Sequence, residues 1–308
     1  MERIPLRVIC LVGPTGAGKT AIALRLANAL GGEVVNADSR QVYRDFPVIT
    51  AQPSPEERAV CPHHLYGFLN SEEKISAGQW ATRAVAAAAA VSARGAAPIL
   101  VGGTGLYFKA LLEGIADIPP VDPTVTRALT EECAARGPEV LHQRLREVDP
   151  VYAARIHPHD RQRIIRALEV ARGTGRSFSW WHEHAAVTPL CAGLRLGVQM
   201  DLATLTPRLE RRIDAMLEAG ALEEAQEARK RCDDPAKPGW SGIGCAELYR
   251  HLAGELTLED ARGLWARNTR AYAKRQLTWF RADPHLHWYA PDDAEALIRR
   301  AEQYVATV

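Results

Sequence analysis

Residues 7–20 read Arg7-Val8-Ile9-Cys10-Leu11-Val12-Gly13-Pro14-Thr15-Gly16-Ala17-Gly18-Lys19-Thr20 and run straight into an apolar helical stretch, Lys19–Leu30. An unbroken apolar run ending on a glycine-rich loop is a buried strand. The loop has the form G-x-x-x-x-G-K-[ST] in the setting that form requires, between a strand and a helix. Its glycines let the backbone curl so that successive N–H groups point inward. The helix N-terminus adds positive partial charge, Lys19 supplies a point charge, and the Thr20 hydroxyl can ligate Mg2+. The pattern predicts a bound diphosphate or triphosphate. An ATP-binding motif and a cradle for another diphosphate look alike at this stage.

Working outward, Gly31-Gly32 closes the helix, and Glu33-Val34-Val35-Asn36-Ala37-Asp38 is a second short apolar run. Ser76–Arg94 is Ala-rich and helical, Gly95 ends it, and Pro98-Ile99-Leu100-Val101 is a buried strand closing on Gly102-Gly103-Thr104-Gly105. Strands separated by helices imply βαβ units. The fold class is therefore α/β, a P-loop-type parallel sheet core flanked by helices. Ligands of such sheets collect beyond the carboxyl ends of the strands, where Gly13–Thr20, Asp38–Gln41 and Gly102–Tyr107 would all lie. Composition changes around Ile118-Pro119-Pro120-Val121-Asp122-Pro123, and residues 118–188 read as a helical insert broken at His157-Pro158 and Gly173-Thr174-Gly175. The core then comprises 1–117 and 189–308, with Leu194–Asp201 returning to the sheet and helices at Pro207–Ala219, Leu222–Lys230 and Asp260–Arg281.

The bulk properties suit a globular protein. The chain has 308 residues, 47% apolar and 24% charged, with a formal net charge of +1. No apolar run approaches the ~20 residues that span a bilayer. Met1-Glu2-Arg3-Ile4-Pro5 leads directly into the first strand, so no signal peptide and a cytoplasmic location are expected. Cys10, Cys61, Cys133, Cys191, Cys232 and Cys245 form no C-x-x-C pair and read as reduced thiols. Cys61-Pro62-His63-His64 and the pairs His157/His159, His182/His184 and His285/His287 lack zinc-site spacing and read as surface or packing residues.

Three further features carry chemistry. Asp38, at a strand end facing the phosphate loop, can act as a general base or an outer magnesium ligand; capping the next turn is the plainer alternative. The strand ending in Gly102-Gly103-Thr104-Gly105 lacks the magnesium-binding acid of a motor or switch ATPase, which leaves a small-molecule kinase as a competing reading. Charge is localised: Ala261–Arg281 contains no acid but holds Arg262, Arg267, Arg270, Lys274, Arg275 and Arg281, interleaved with Tyr272, Trp279 and Phe280. Arg161, Arg163, Arg166, Arg172 and Arg176 lead similarly into Phe178 and Trp180-Trp181. Basic helices beside aromatics suit RNA, whose phosphates bind Arg and Lys and whose splayed bases stack on rings; a solvated basic face over core aromatics is the alternative.

Six segments in series, spanning nearly the whole chain, resemble the tRNA dimethylallyltransferase (tRNA isopentenyltransferase) family. They are the phosphate loop, Asp38-Ser39-Arg40-Gln41-Val42-Tyr43, Pro62-His63-His64-Leu65, Val101-Gly102-Gly103-Thr104-Gly105-Leu106-Tyr107, Arg163-Ile164-Ile165-Arg166-Ala167-Leu168-Glu169-Val170 and Ala273-Lys274-Arg275-Gln276-Leu277-Thr278-Trp279-Phe280-Arg281. The resemblance implies transfer of a dimethylallyl group from dimethylallyl diphosphate to the exocyclic amine of the adenine 3′ to the anticodon, with diphosphate released. It implies that Gly13, Pro14, Thr15, Gly16, Ala17, Gly18, Lys19, Thr20 and Arg212 hold the diphosphate, that Asp38 is the base, and that Thr104 contacts tRNA. Mg2+ is the implied cofactor, with Thr20 as its ligand, and the implied partners are tRNA and the isoprenoid donor.

By the same resemblance the tRNA-contacting segments are Asp38, Ser39, Arg40 and Gln41; Gln162, Arg163, Ile164, Ile165 and Arg166; Ser241, Gly242, Ile243, Gly244, Cys245 and Ala246; and Lys274, Arg275, Gln276, Leu277, Thr278, Trp279, Phe280 and Arg281. Two positions depart from the family pattern. Cys245 stands where a tyrosine is usual, and Thr126, with Arg127 beside it, stands where an arginine is usual. Without the zinc-finger tail of eukaryotic relatives, the bacterial form is the expected match, as a monomer with no membrane contact.

Overall fold

A computed structural model describes residues 6–307, so the reading of Met1–Pro5 lies outside the described residues. Six strands, β1 (Arg7–Val12), β2 (Glu33–Asn36), β3 (His63–His64), β4 (Pro98–Gly102), β5 (Ala192–Val198) and β6 (His287–Tyr289), form one parallel sheet in the order β3-β2-β4-β1-β5-β6. β1 is central, paired with β4 from Ile9↔Ile99 to Val12↔Gly102 and with β5 from Arg7↔Ala192 to Val12↔Gly197. Covered on both edges and both faces, it buries Val8 through Val12, which is why its sequence shows no polar alternation.

Helices α1 (Lys19–Leu30), α2 (Pro55–Val60), α3 (Ala77–Ala93) and α4 (Gly105–Leu112) precede β5. α1 buries Ile22, Ala23, Leu26 and Ala27, a stripe that packs on Ile9, Leu11 and Ile99. α3 starts at a reciprocal capping box between Ser76 and Gln79. Its Trp80 is fully buried, donates Nε1–H to the Asn36 carbonyl at 3.1 Å, and stacks on Tyr107 with centroids 4.2 Å apart. α3 is thereby pinned to the end of β2.

The chain divides into two compact units, one reaching Glu113 and resuming at Pro189, the other Gly114–Thr188. The second unit holds α5 (Pro123–Arg136), α6 (Pro138–Val148), α7 (Pro150–Ala153), α8 (Arg161–Thr174) and α9 (Phe178–His184), around Leu129, Leu141, Leu145, Ile164 and Leu168. α8 passes through Gly173 and stops at Gly175, whose φ of 70° ends the helix. In the first unit the excursion is closed at its base, where the Leu190 N–H donates to the Leu111 carbonyl at 2.9 Å.

The first unit continues with α10 (Leu202–Glu218), α11 (Ala221–Arg231), α12 (Cys245–Leu252), α13 (Leu258–Arg281) and α14 (Ala294–Ala306). Two boundaries differ from the sequence reading for one reason. Asp201 takes the Thr204 N–H at 2.8 Å and its hydroxyl at 2.7 Å, so β5 ends early and α10 starts at Leu202, enclosing Pro207 instead of beginning at it. The histidines at 63 and 64 belong to an edge strand: His64 Nε2 lies 2.6 Å from Glu33 Oε2, and Arg94 grips the same carboxylate at 2.7 and 3.1 Å. Arg94 chiefly, and His64 after it, hold the Glu33 carboxyl below its ordinary pKa. All six cysteines are free and buried.

Candidate functional site

The phosphate loop, the turn after β2 and the turn after β4 meet at the carboxyl edge of the sheet. Gly18 caps α1 without a side-chain hydrogen bond, leaving the first-turn N–H groups of the helix directed at the loop's concavity. Lys19 Nζ donates to the carbonyls of Gly13 (2.9 Å) and Pro14 (2.8 Å), which hold it over the loop. Burial pulls its pKa down to about 8; the Asp38 charge opposes that shift and Arg212 reinforces it.

Arg212 arrives from α10, its Nη1 3.3 Å from Thr15 Oγ1. Gly16 makes that approach possible. It sits at φ +80°, a conformation that favours glycine, and a Cβ there would meet Leu209 Cδ2 of α10 at 2.6 Å, so a larger residue would strain the loop and push on this leucine. Burial lowers the guanidinium pKa, with the Asp38 charge working against it.

Asp38 is held by its backbone. Its N–H donates to Asn36 Oδ1 at 2.8 Å, while Asn36 Nδ2 donates to the carbonyls of Asp38 and Leu65, both at 3.0 Å. Asp38 Oδ1 accepts the Arg40 N–H at 2.8 Å, so the turn-capping role is real and sits alongside any other. Thr104 closes the opposite side: Oγ1 accepts the Ser39 N–H at 2.9 Å and lies 3.2 Å from Ser39 Oγ. Tyr66, Tyr107 and Tyr272 surround this edge. Burial first, and the Asp38 charge second, push all three phenols above their ordinary range. They are neutral walls around a carboxylate.

Asn36 was not among the expected residues, although a polar side chain in an otherwise buried strand end must find partners and so signals a fixed turn. Gln276 was expected at the RNA surface. It is 4% exposed, accepting the Thr15 N–H and donating to the Gly103 carbonyl, both at 2.9 Å.

The remaining RNA candidates divide by burial. On α13, Lys274, Arg275, Thr278 and Arg281 are exposed and Trp279 is 44% exposed, while Leu277 and Phe280 are buried. Their side chains pack the core, so the expectation of base stacking on Phe280 fails. Arg262 is not uncompensated either, because Asp214 of α10 grips it at 2.6 and 2.7 Å.

Arg40 Nη1 donates to Ser241 Oγ at 2.7 Å, bringing Asp38–Gln41 and Ser241–Ala246 together. Gln41 Nε2 donates to the carbonyls of Thr50 (3.0 Å) and Ala51 (2.7 Å) and so fastens its own loop. Ser241 is exposed, Ile243 and Ala246 are partly buried, and Gly242 and Gly244 are buried. Cys245 is wholly buried, with burial pushing its thiol pKa up, so its side chain makes no surface contact. In the second unit, Glu169 accepts from Thr126 Oγ1 and from Arg166 Nη1, both at 2.6 Å. Arg127, Gln162 and Arg163 are exposed, Ile165 is partly buried, and Ile164 is fully buried, a core residue instead of a contact.

Among the described residues no group of three or more His, Cys, Asp or Glu side chains could hold a metal by itself. The Thr20 hydroxyl and the Asp38 carboxylate are hard oxygen donors. They fit a magnesium ion that is held mainly by diphosphate oxygens and water.

Residues 41–283 match the family model described as IPP transferase. The chain is 65% identical to a tRNA dimethylallyltransferase of Nitratidesulfovibrio vulgaris (strain Miyazaki F), over 95% of this chain and 91% of the relative. It is 60% identical to one of Desulfovibrio desulfuricans, over 96% and 92%. A crystal structure of the full-length tRNA isopentenylpyrophosphate transferase of Bacillus halodurans superposes with a TM-score of 0.69 at 35% identity, covering 98% of this chain and 96% of the other. A eukaryotic dimethylallyltransferase acting on tRNA superposes at 0.78 with 30% identity, covering 97% and 77%.

Proposed function

The chain belongs to the tRNA dimethylallyltransferase (IPP transferase) family, and from that premise we propose which of its residues carry each part of the reaction. The chain transfers a dimethylallyl group to tRNA. In our reading the donor is dimethylallyl diphosphate, its diphosphate lies on the Gly13–Thr20 loop, and the acceptor is the exocyclic amine of the adenine 3′ to the anticodon. One observation carries this reading: Lys19 and Arg212 converge on the loop at the sheet edge where Asp38 and Thr104 also stand.

The carbon–oxygen bond to the diphosphate breaks with its electron pair leaving on oxygen, and a bond forms from the allylic carbon to the adenine nitrogen. Lys19, Arg212 and the loop N–H groups neutralise the departing charge. Magnesium, when bound, adds charge neutralisation to the same oxygens. The amine is a poor nucleophile, and the second oxygen of Asp38 can take its proton as the carbon–nitrogen bond forms, while the first stays on the Arg40 N–H. In this reading the Thr104 hydroxyl, set by Ser39, orients the adenine. The adenine must leave its stack to reach this edge. The exposed Lys274, Arg275, Arg281 and Trp279, the Arg40–Ser241 pair and the exposed arginines of the second unit supply phosphate and stacking contacts. The tRNA substrate and the free buried thiols support a cytoplasmic location, and one chain supplying loop, cations and base supports a monomer.

With magnesium and labelled dimethylallyl diphosphate, the protein should label an anticodon stem-loop, and replacing the target adenine by guanine should abolish labelling. Calorimetry with ATP in place of the isoprenoid tests the kinase alternative. Tight ATP binding without isoprenoid binding would overturn the assignment.

The lowered pKa of Lys19 makes donor affinity depend on pH. Near pH 8 the amine of the free site is half neutral, and a bound diphosphate favours its charged form. Affinity should change little between about pH 7 and 8, where the phosphate is ionised, and fall by up to about tenfold per unit above pH 8 until the amine titrates in the bound state too. Calorimetry at pH 8 in buffers of different ionisation enthalpy should report proton uptake on binding; equal heats would show that Lys19 does not titrate there.

A further inference from the structure

α13 turns Lys274, Arg275 and Thr278 outward and Gln276 inward. The Gln276 amide joins two parts of the site that come from distant stretches of the chain. Its Oε1 takes the Thr15 N–H, and its Nε2 gives a hydrogen to the Gly103 carbonyl. Gly103 is the residue that admits it, since a Cβ there would lie 1.9 Å from Nε2. The chemistry of the position is selective. An uncharged amide both donates and accepts, whereas a carboxylate could not donate to Gly103 and a lysine could not accept from Thr15. A carboxylate would also draw Lys19 and Arg212 away from an anion on the loop.

We propose that Gln276 is a positioning residue for the donor. It ties the first half of the phosphate loop to the end of β4, so that the cradle and the Asp38–Thr104 edge keep one spacing. Pro14 has no N–H and the Thr15 N–H is engaged by Gln276, so neither of these two residues offers a backbone hydrogen to an anion on the loop. Small displacements of a bound reactant are costly, which gives the tie its use. The inference rests on reading the loop as a diphosphate cradle.

The test compares the wild-type chain with Gln276→Met, which keeps the length and loses both hydrogen bonds. Inorganic pyrophosphate with magnesium and an anticodon stem-loop RNA are titrated separately, and hydrogen exchange is followed in peptides covering residues 13–18. The dissociation constant for pyrophosphate should rise about tenfold, the scale of a lost buried hydrogen bond. The constant for RNA should stay within twofold, and exchange should quicken in the loop. Should Gln276→Met fail to fold, Gln276→Asn, whose shorter amide reaches one partner at most, should give the same pattern at smaller size. Unchanged pyrophosphate affinity with unchanged loop exchange overturns the inference. So does a parallel loss of both affinities with faster exchange throughout, which marks a general packing role. A wild-type chain that does not bind pyrophosphate would overturn the functional reading instead.

Discussion

Asp38→Asn should lower the rate of the chemical step by about 10²–10⁴-fold, the range of a positioned general base, while leaving RNA affinity within a few-fold. The substitution is close to isosteric, and its carbonyl oxygen can still accept the Arg40 N–H that Asp38 Oδ1 now accepts at 2.8 Å. Asn36 holds the main chain at this position through the backbone N–H and carbonyl, so the turn does not depend on the carboxylate alone. What is lost is the ability to take the amine proton. Pyrophosphate without magnesium should bind at least as well, because a negative charge beside the cradle has been removed. Single-turnover transfer from labelled donor to a stem-loop measures the effect, and a loss smaller than tenfold would remove Asp38 from the role of base.

Lys19→Met should cost about 10³-fold in kcat/KM for the donor, the upper scale of removing one preorganised donor from a developing oxyanion. Lys19 is the loop's own cation, held by the Gly13 and Pro14 carbonyls, and its charge is poorly solvated, as its lowered pKa records. Arg212→Met should act in the same direction, since Arg212 reaches the same loop through Thr15. Because both cations neutralise one leaving group, the double variant should lose less than the product of the single losses. Full multiplicativity in kcat/KM would mean that they act on different groups.

The sheet core was legible because its signals are local. The apolar run of β1, the loop glycines and Lys19 lie within one strand–turn–helix unit, and parallel strands then put Asp38 and Thr104 on the same edge. Contacts between distant segments were not legible. Gln276 meets Thr15 across 261 residues, and Asp214 meets Arg262 across 48, so an acid-free stretch looked more naked than it is. Burial within the basic helix was partly recoverable: Ala273, Leu277 and Phe280 recur at helical spacing and mark a packed stripe through a segment read as RNA-facing throughout. Cys245 gave no such warning, as it opens a short helix behind a glycine at φ 93°. β3 and β6, of two and three residues, are too short to carry any period.

The hydrogen bond from Leu190 to Leu111 gives the fold tolerance to growth. To the sheet, the long detour between β4 and β5 behaves as a clasped stem, with its two feet fastened together before β5 aligns beside β1. Each doubling of a flexible detour's length adds only about 0.6 kcal/mol of closure entropy. Modules of different size could therefore be grafted above the clasp while the strand register, and the chemistry at its carboxyl edge, stayed as they are.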